Sequence, residues 1–258
     1  MGAVGALIAG YYVPSMPGPL QLLLMGILAF IFGGLWGAVP GYLRARFNTN
    51  EIITSLLMVF IASWFVSYLI RFPWRSTTSA GYPVSEIIRN YAWLPTLPGI
   101  GAHAGIIIAL VLAVVVWFIV QKSAYGYRIK ATGVNPDTAS YGGIPVRKII
   151  VSSMILSGGL AGLAGMAQVS GVFHVVSENI SVSYGFLGIV VAFVGRLHPL
   201  GAVITAIFLG GLLTGSHYVQ ASLGIDVTVV HVLVATIMLA LVIQPFIEQR
   251  LENLFKLH

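Results

Sequence analysis

Gln168 and Ser170, Ser183 and Tyr184, and Ser63 and Ser67 carry amide or hydroxyl groups inside stretches that are otherwise aliphatic. Such side chains donate and accept hydrogen bonds without carrying charge. Lining a route, they would suit a neutral, hydrogen-bonding solute. The plainer use is to bond one another or the backbone between helices, since a polar group in an apolar surrounding needs a partner. Gln21 is of the same kind, and His174, Glu178 and Asn179 follow Ser170 closely.

Ionisable chemistry is missing from these stretches. The apolar runs Leu20–Leu43, Ile52–Ile70, Ala104–Val120, Ile149–Val172, Leu200–Tyr218 and Val227–Ile247 contain no Asp, Glu, Lys or Arg. A proton-coupled carrier keeps an ionisable relay inside the membrane, so the pattern argues against one, although carbonyls and hydroxyls can hold sodium. His217 and His231 read as packed histidines, and His103, His174, His198 and His258 lack metal-ligand spacing. There is no Cys, and Gly-Lys occurs nowhere, so no phosphate loop of the GxxxxGK[ST] kind is present. Neither a GxSxG elbow nor an HExxH helix appears. No catalytic residue and no metal ligand is assigned, and ATP hydrolysis by this chain itself is not expected.

The elements that would position these groups are membrane helices. The 258 residues are 58% hydrophobic and 8% charged, against about a quarter charged in a globular domain. Mean hydropathy is +0.95. A crossing takes about 20 apolar residues, which the six runs satisfy. Ser181–Gly195 is apolar but short, a tilted crossing or a broken helix. Gly2–Val13 is shorter and reads as the tail of a span. No cleavable signal peptide is expected, because no basic region precedes the first apolar stretch. The fold class is all-α, a polytopic integral membrane protein with about seven to eight hydrophobic segments.

Counting loops alternately gives an orientation. With 121–148 in the cytosol, the segments 44–51 and 196–199 and the C-terminal tail lie there too, provided 181–195 crosses. That side then holds Arg44, Arg46, Lys122, Arg128, Lys130, Arg147, Lys148, Arg196, Arg250 and Lys256, ten of the thirteen Lys and Arg. Arg71, Arg75 and Arg89 fall in the long extracellular segment 71–103. The net charge of +6 is thus explained by the positive-inside rule rather than by nucleic acid.

Small residues recur every four positions: Gly33, Gly37 and Gly41; Gly158 and Gly162, with Ser157, Ala161 and Gly165; Gly211 and Gly215. Such faces let helix backbones approach closely, within one chain or between subunits. Pro40 is expected to bend or end its helix near the cytosolic side.

Between the third and fourth full runs the chain reads ATGVNPDTASYGGIPVRK over 131–148. Asn135 suits a helix cap, Pro136 the first helical position, Asp137 the positive end of the dipole, and Gly142–Gly143 the stop. A helix of about six residues, roughly 9 Å long, results. It spans nothing, and reads either as a tidy surface loop or as a rigid docking element.

The run YGYRIKATGVNPDTASYGGIPVRK followed by SGGLAGLAG resembles the coupling-helix region of permease subunits of ATP-binding-cassette importers. The likeness is to the family that includes ribose, branched-chain amino-acid and nucleoside permeases. WGAVPGYLRARFNTNEIITSLLM at 36–58 and FLGIVVAFVGRLHPLGAV at 186–203, with the long segment after Arg71, fit its nucleoside and simple-sugar branch. The resemblance implies that Gly133, Asn135, Pro136, Ala139, Gly143 and Ile144 form the element that docks on a separate ATPase subunit, where ATP and Mg are bound. It implies no cofactor on this chain, a second identical or related permease, an extracytoplasmic solute-binding protein, and a bacterial or archaeal cell membrane. Residues 1–258 would form one permease domain, N-terminally incomplete, because the family carries further N-terminal spans and an Asn-Ile-Gly-x-Glu-Gly-Gln type motif before this point. A self-sufficient secondary transporter or channel is the alternative, and gradient-driven uptake without ATP would distinguish it.

Overall fold

The computed structural model describes residues 1–13, 16–77, 81–99, 101–178, 180–181 and 184–223, with isolated positions 228, 232, 235–236, 239–240 and 243. Most of the expected span Val227–Ile247, with Ser183, Asn179, His231, His258 and the side chain of His217, lies outside the described residues. Helices dominate: α1 (Gly2–Leu7), α2 (Gly18–Phe47), α3 (Glu51–Arg71), α4 (Gly105–Lys122), α5 (Ala124–Val134), α6 (Pro136–Tyr141), α7 (Val146–Gln168), α8 (Tyr184–Val194) and α9 (Pro199–Leu223). Five helices are long and apolar enough to cross a membrane, namely α2, α3, α4, α7 with its extension to Phe173, and α9. The chain is a polytopic all-α membrane protein, and among the described residues there are only isolated β-bridges.

Two compact units divide the chain, Met1–Ala109 with Ile119–Ser181, and Leu110–Phe118 with Val182–His258. The first is built on the α2–α7 pair. A Cβ on Gly37 would lie 2.6 Å from the Met154 carbonyl oxygen, and one on Gly41 2.8 Å from Met154 Cβ. Gly33 meets Gly158 and Gly162 in the same way. The contacts run 41 with 154, 37 with 158 and 33 with 162, so the helices are antiparallel and the small-residue faces serve packing within the chain. Helix α1 joins them, with Gly2 against Gly162, Gly165 against Ala3, and Gly5 against Leu28 and Ala29. It therefore runs parallel to α7. Leu7, Met25, Ala29, Ile70, Val169 and Val176 close the core of this unit.

Pro40 does not end its helix: α2 continues through it to Phe47 and stops at Asn48, whose φ of 53° an Asn side chain tolerates. Two residues on, Asn50 caps α3, accepting from the backbone N–H of Ile52 at 2.9 Å and of Ile53 at 3.4 Å.

Two helices leave the bundle through π-helical turns. Ile8–Tyr12 (IAGYY) extends α1 and Val169–Phe173 (VSGVF) extends α7. Both turns share an aliphatic, small, Gly, variable, aromatic pattern, and both end parallel helices at one end of the unit. A π turn leaves backbone carbonyls without helical partners, and here they are used. Gln21 Nε2 donates to the Ala9 carbonyl, and the Ser170 carbonyl accepts from Leu94 N–H at 2.8 Å. The segment after α3 thus folds back over this end, which we call the cap end. Ile88 N–H donates to the His174 carbonyl and Ser85 N–H to that of Val176, both at 2.9 Å, while the Ile88 side chain is fully buried.

In the second unit α8 and α9 form a tight hairpin. Leu209 packs against Leu187, Val190, Val191 and Val194, and Gly195 lies on the backbone of Gly201 and Ala202. Helix α8 has 11 residues, about 16 Å, roughly half the hydrocarbon thickness. Gly211 and Gly215 have open space around them among the described residues.

Candidate functional site

At the end opposite the cap, α4 turns into a rigid three-helix element. Ser123 accepts from Gly126 N–H at 3.1 Å, starting α5, and donates to the Ile119 carbonyl at 2.6 Å. Tyr125 and Ser152 share a 2.6 Å hydroxyl bond that ties α5 to α7. Asn135 then starts α6, its Oδ1 accepting from Asp137 and Thr138 N–H, each at 3.0 Å. Pro136 occupies the first helical position, where no N–H is needed.

The stop is a Schellman motif. Gly143, at φ +78°, donates to the Ser140 carbonyl, and Ile144 donates to that of Ala139, both at 3.0 Å. Both ends of this six-residue helix are thereby capped by local hydrogen bonds, which offsets the cost of so short a helix. Ala139 is buried on the side facing the bundle, and Ile144 is half-buried. Gly133, Asn135, Pro136 and Gly143 are exposed, and Gly133 presents bare backbone with open space before it. Val134 and Tyr141 flank them at 87% and 93% exposure. Sequence reasoning missed these two, although apolar residues in a polar loop with no core to join are a readable signal.

The proposed pathway residues are not brought together among the described residues. Ser63 is exposed on α3, and Ser67, half-buried, hydrogen-bonds Glu178. Glu178 also accepts from Arg71 Nε at 2.6 Å, and this bond holds its carboxyl below the usual range. Ser170 is fully buried and donates to the Met166 carbonyl at 2.7 Å within its own helix. Gln168 is half-buried at the end of α7. Tyr184 is half-exposed at the start of α8, in the second unit, and Ser183 lies outside the described residues. Gln21 is fully buried, and its Oε1 has no protein partner among the described residues.

The cap end holds a second ordered cluster. Trp93 and His174 stack with ring centroids 3.9 Å apart and planes 14° from parallel. Trp93 Nε1 donates to the Ile88 carbonyl at 3.2 Å. His103 covers Gly171 and accepts from Gly105 N–H at 3.1 Å. Burial lowers the His174 pKa from its ordinary imidazole value. Among the described residues no group of three or more His, Asp or Glu could hold a metal.

Known proteins resemble this chain in sequence. The family described as the permease component of branched-chain amino acid transport systems matches residues 1–243. The chain is 35% identical to the guanosine ABC transporter permease protein NupP of Bacillus subtilis, over 93% of this chain and 72% of that one. It is 29% identical to the glucose ABC transporter permease protein TsgB13 of Haloferax volcanii, over 96% and 70%. It is 30% identical to the nucleoside ABC transporter permease protein NupB of Lactococcus lactis, over 91% and 67%. No solved structure gives a significant match. With its uncharged spans and its capped surface helix, the chain belongs to the branched-chain amino acid transport permease family and is a membrane-spanning permease subunit of an ABC importer.

Proposed function

We propose that this chain forms half of a translocation path for nucleosides or a related sugar-containing solute, driven by ATP hydrolysed on separate subunits. The observation that carries the coupling part is the helix α6, locked at both ends and flanked by exposed Val134 and Tyr141. Val134 and Tyr141 would supply apolar contact to a docked partner. Gly133, Asn135, Pro136 and Gly143 shape the surface of α6, while Ala139 seats it against α7. The solute class follows from relatives named for guanosine, nucleosides and glucose, and from spans carrying neutral polar groups only.

The α6 end faces the cytosol in this reading. It carries Arg44, Arg46, Lys122, Arg128, Lys130, Arg147 and Lys148, as the positive-inside rule requires. Segment 71–103 then faces outward and the C-terminus inward. A second permease completes the path, and an extracytoplasmic binding protein delivers solute. Gln168, Ser170, Ser183, Tyr184, Ser63 and Ser67 remain the polar groups assigned to the path or its walls.

The test is co-purification of the tagged chain with the ATPase and permease encoded beside it. A stoichiometric ATPase subunit that is lost when 135–144 is scrambled supports the coupling role. Gly143→Glu should abolish ATP-driven guanosine uptake while leaving membrane insertion intact. Unchanged uptake in that variant sinks the assignment.

A further inference from the structure

The Trp93–His174 stack sits at the end of the α7 extension. His174 caps the π turn in the left-handed conformation, φ +57°, its N–H donating to the Val169 carbonyl. Its Nδ1 is buried without a protein partner among the described residues, and a buried polar atom left unpaired is rare and unfavourable. The ring is therefore placed for its face rather than for its nitrogens. Trp93 in turn cannot swing away: one face is covered by the imidazole, the indole N–H is bonded to Ile88, and the next residue, Leu94, is pinned to Ser170. Even so, Trp93 keeps 38% of its surface exposed. What it presents is a fixed aromatic surface with its single polar atom already used.

We propose that Trp93, backed by His174, is a stacking platform for the heteroaromatic base of the solute at the mouth of the path. This rests on the nucleoside reading above and deepens it, because a platform without spare donors recognises any purine or pyrimidine by its π face and ignores the sugar. Indole presents the largest aromatic face among the side chains, and stacking tolerates changes of base. A tryptophan that merely anchors a helix at the lipid interface keeps its N–H for the wet side; here that group is turned inward to a backbone carbonyl.

The experiment measures equilibrium binding of labelled guanosine, and separately of ribose, to the permease assembled with its ATPase. Trp93→Ala should weaken guanosine about tenfold, the value of one base stacked on an aromatic ring, and leave ribose unchanged. Trp93→Phe should weaken it less. His174→Asn is the decisive variant. Asn accepts the left-handed backbone, so the cap keeps its fold while the supporting ring is gone, and guanosine affinity should fall severalfold. Capture of the ATPase by every variant reports that the assembly is intact. If guanosine binds Trp93→Ala as tightly as the wild type, or if guanosine and ribose weaken in step, the platform is refuted and the importer reading stands. A wild-type assembly with no ATP-dependent uptake of any nucleoside would refute the solute class and the platform together.

Discussion

Helices α6 and α8 end with the same pair of hydrogen bonds but opposite choices of residue. In α6 the left-handed position is Gly143, at φ +78°. In α8 it is Arg196, at φ 55°, followed by Leu197 at φ 53°. Arg196 N–H donates to Phe193 at 2.9 Å and Leu197 N–H to Ala192 at 2.8 Å, the Schellman pattern again. A glycine stands one residue early, at Gly195, and it is occupied otherwise: a Cβ there would lie 2.6 Å from the Ala202 nitrogen. Tight hairpin packing takes the glycine, and the strained conformation falls on residues with side chains. One stop is built for a clean surface, the other for a close helix turn.

That contrast can be broken in order of effect. Gly195→Val forces a branched side chain onto the α9 backbone and should cost about 3 kcal/mol, read as a large drop in the denaturation midpoint of the detergent-solubilised protein. Gly143→Val places a β-branched residue at positive φ in open space, so only backbone strain is added, about 1–2 kcal/mol. Its midpoint should fall less than that of Gly195→Val. An equal fall would mean that packing and conformation are not separable as argued. Leu197→Gly relieves strain but frees the unfolded chain, leaving a net gain below about 1 kcal/mol. A clear loss of stability would show that the 72% exposed Leu197 side chain is held by something beyond the hairpin.

The smallest effect concerns pH at the cap end. Arg71 depresses the Glu178 pKa from its ordinary 4.5. A depressed folded pKa stabilises above the unfolded value, and that contribution disappears as pH falls through the folded one. The midpoint should therefore decline below about pH 4.5, and Glu178→Gln should flatten that part of the curve. Both groups are solvent-facing, so the slope is shallow.

The sequence made some of this legible and hid the rest for physical reasons. Helix α6 could be read to the residue because Asn135, Pro136 and Gly143 act within one turn of themselves. The α2–α7 contact was visible as four-residue spacing of glycines on both partners, though not which face met which. The π turns left no sign, since they differ from an α-helix by a single hydrogen-bond register and need no special residue. Arg196 and Leu197 were hidden by Gly195, which looks like the stop and is not. Trp93 and His174 meet across some eighty positions of chain through backbone bonds that no local pattern encodes. Gln168, Ser170, Ser63, Ser67 and Tyr184 were picked by polarity, which says what a group can bond and not which neighbour it will find.

The Tyr125–Ser152 hydroxyl bond and the run of α7 into its π turn give the importer a mechanical property. Helix α7 and that turn make one continuous element, Val146–Phe173, about 42 Å long at 1.5 Å per residue. One extremity is fastened to α5 and α6, the other to Leu94 and, through His174, to Trp93 and Ile88. If α6 is the coupling element proposed above, one continuous helix links it to the cap end. Along that length the closest neighbours of α7 are Gly33, Gly37 and Gly41 of α2, so any axial shift of α7 would have to pass through the glycine contact.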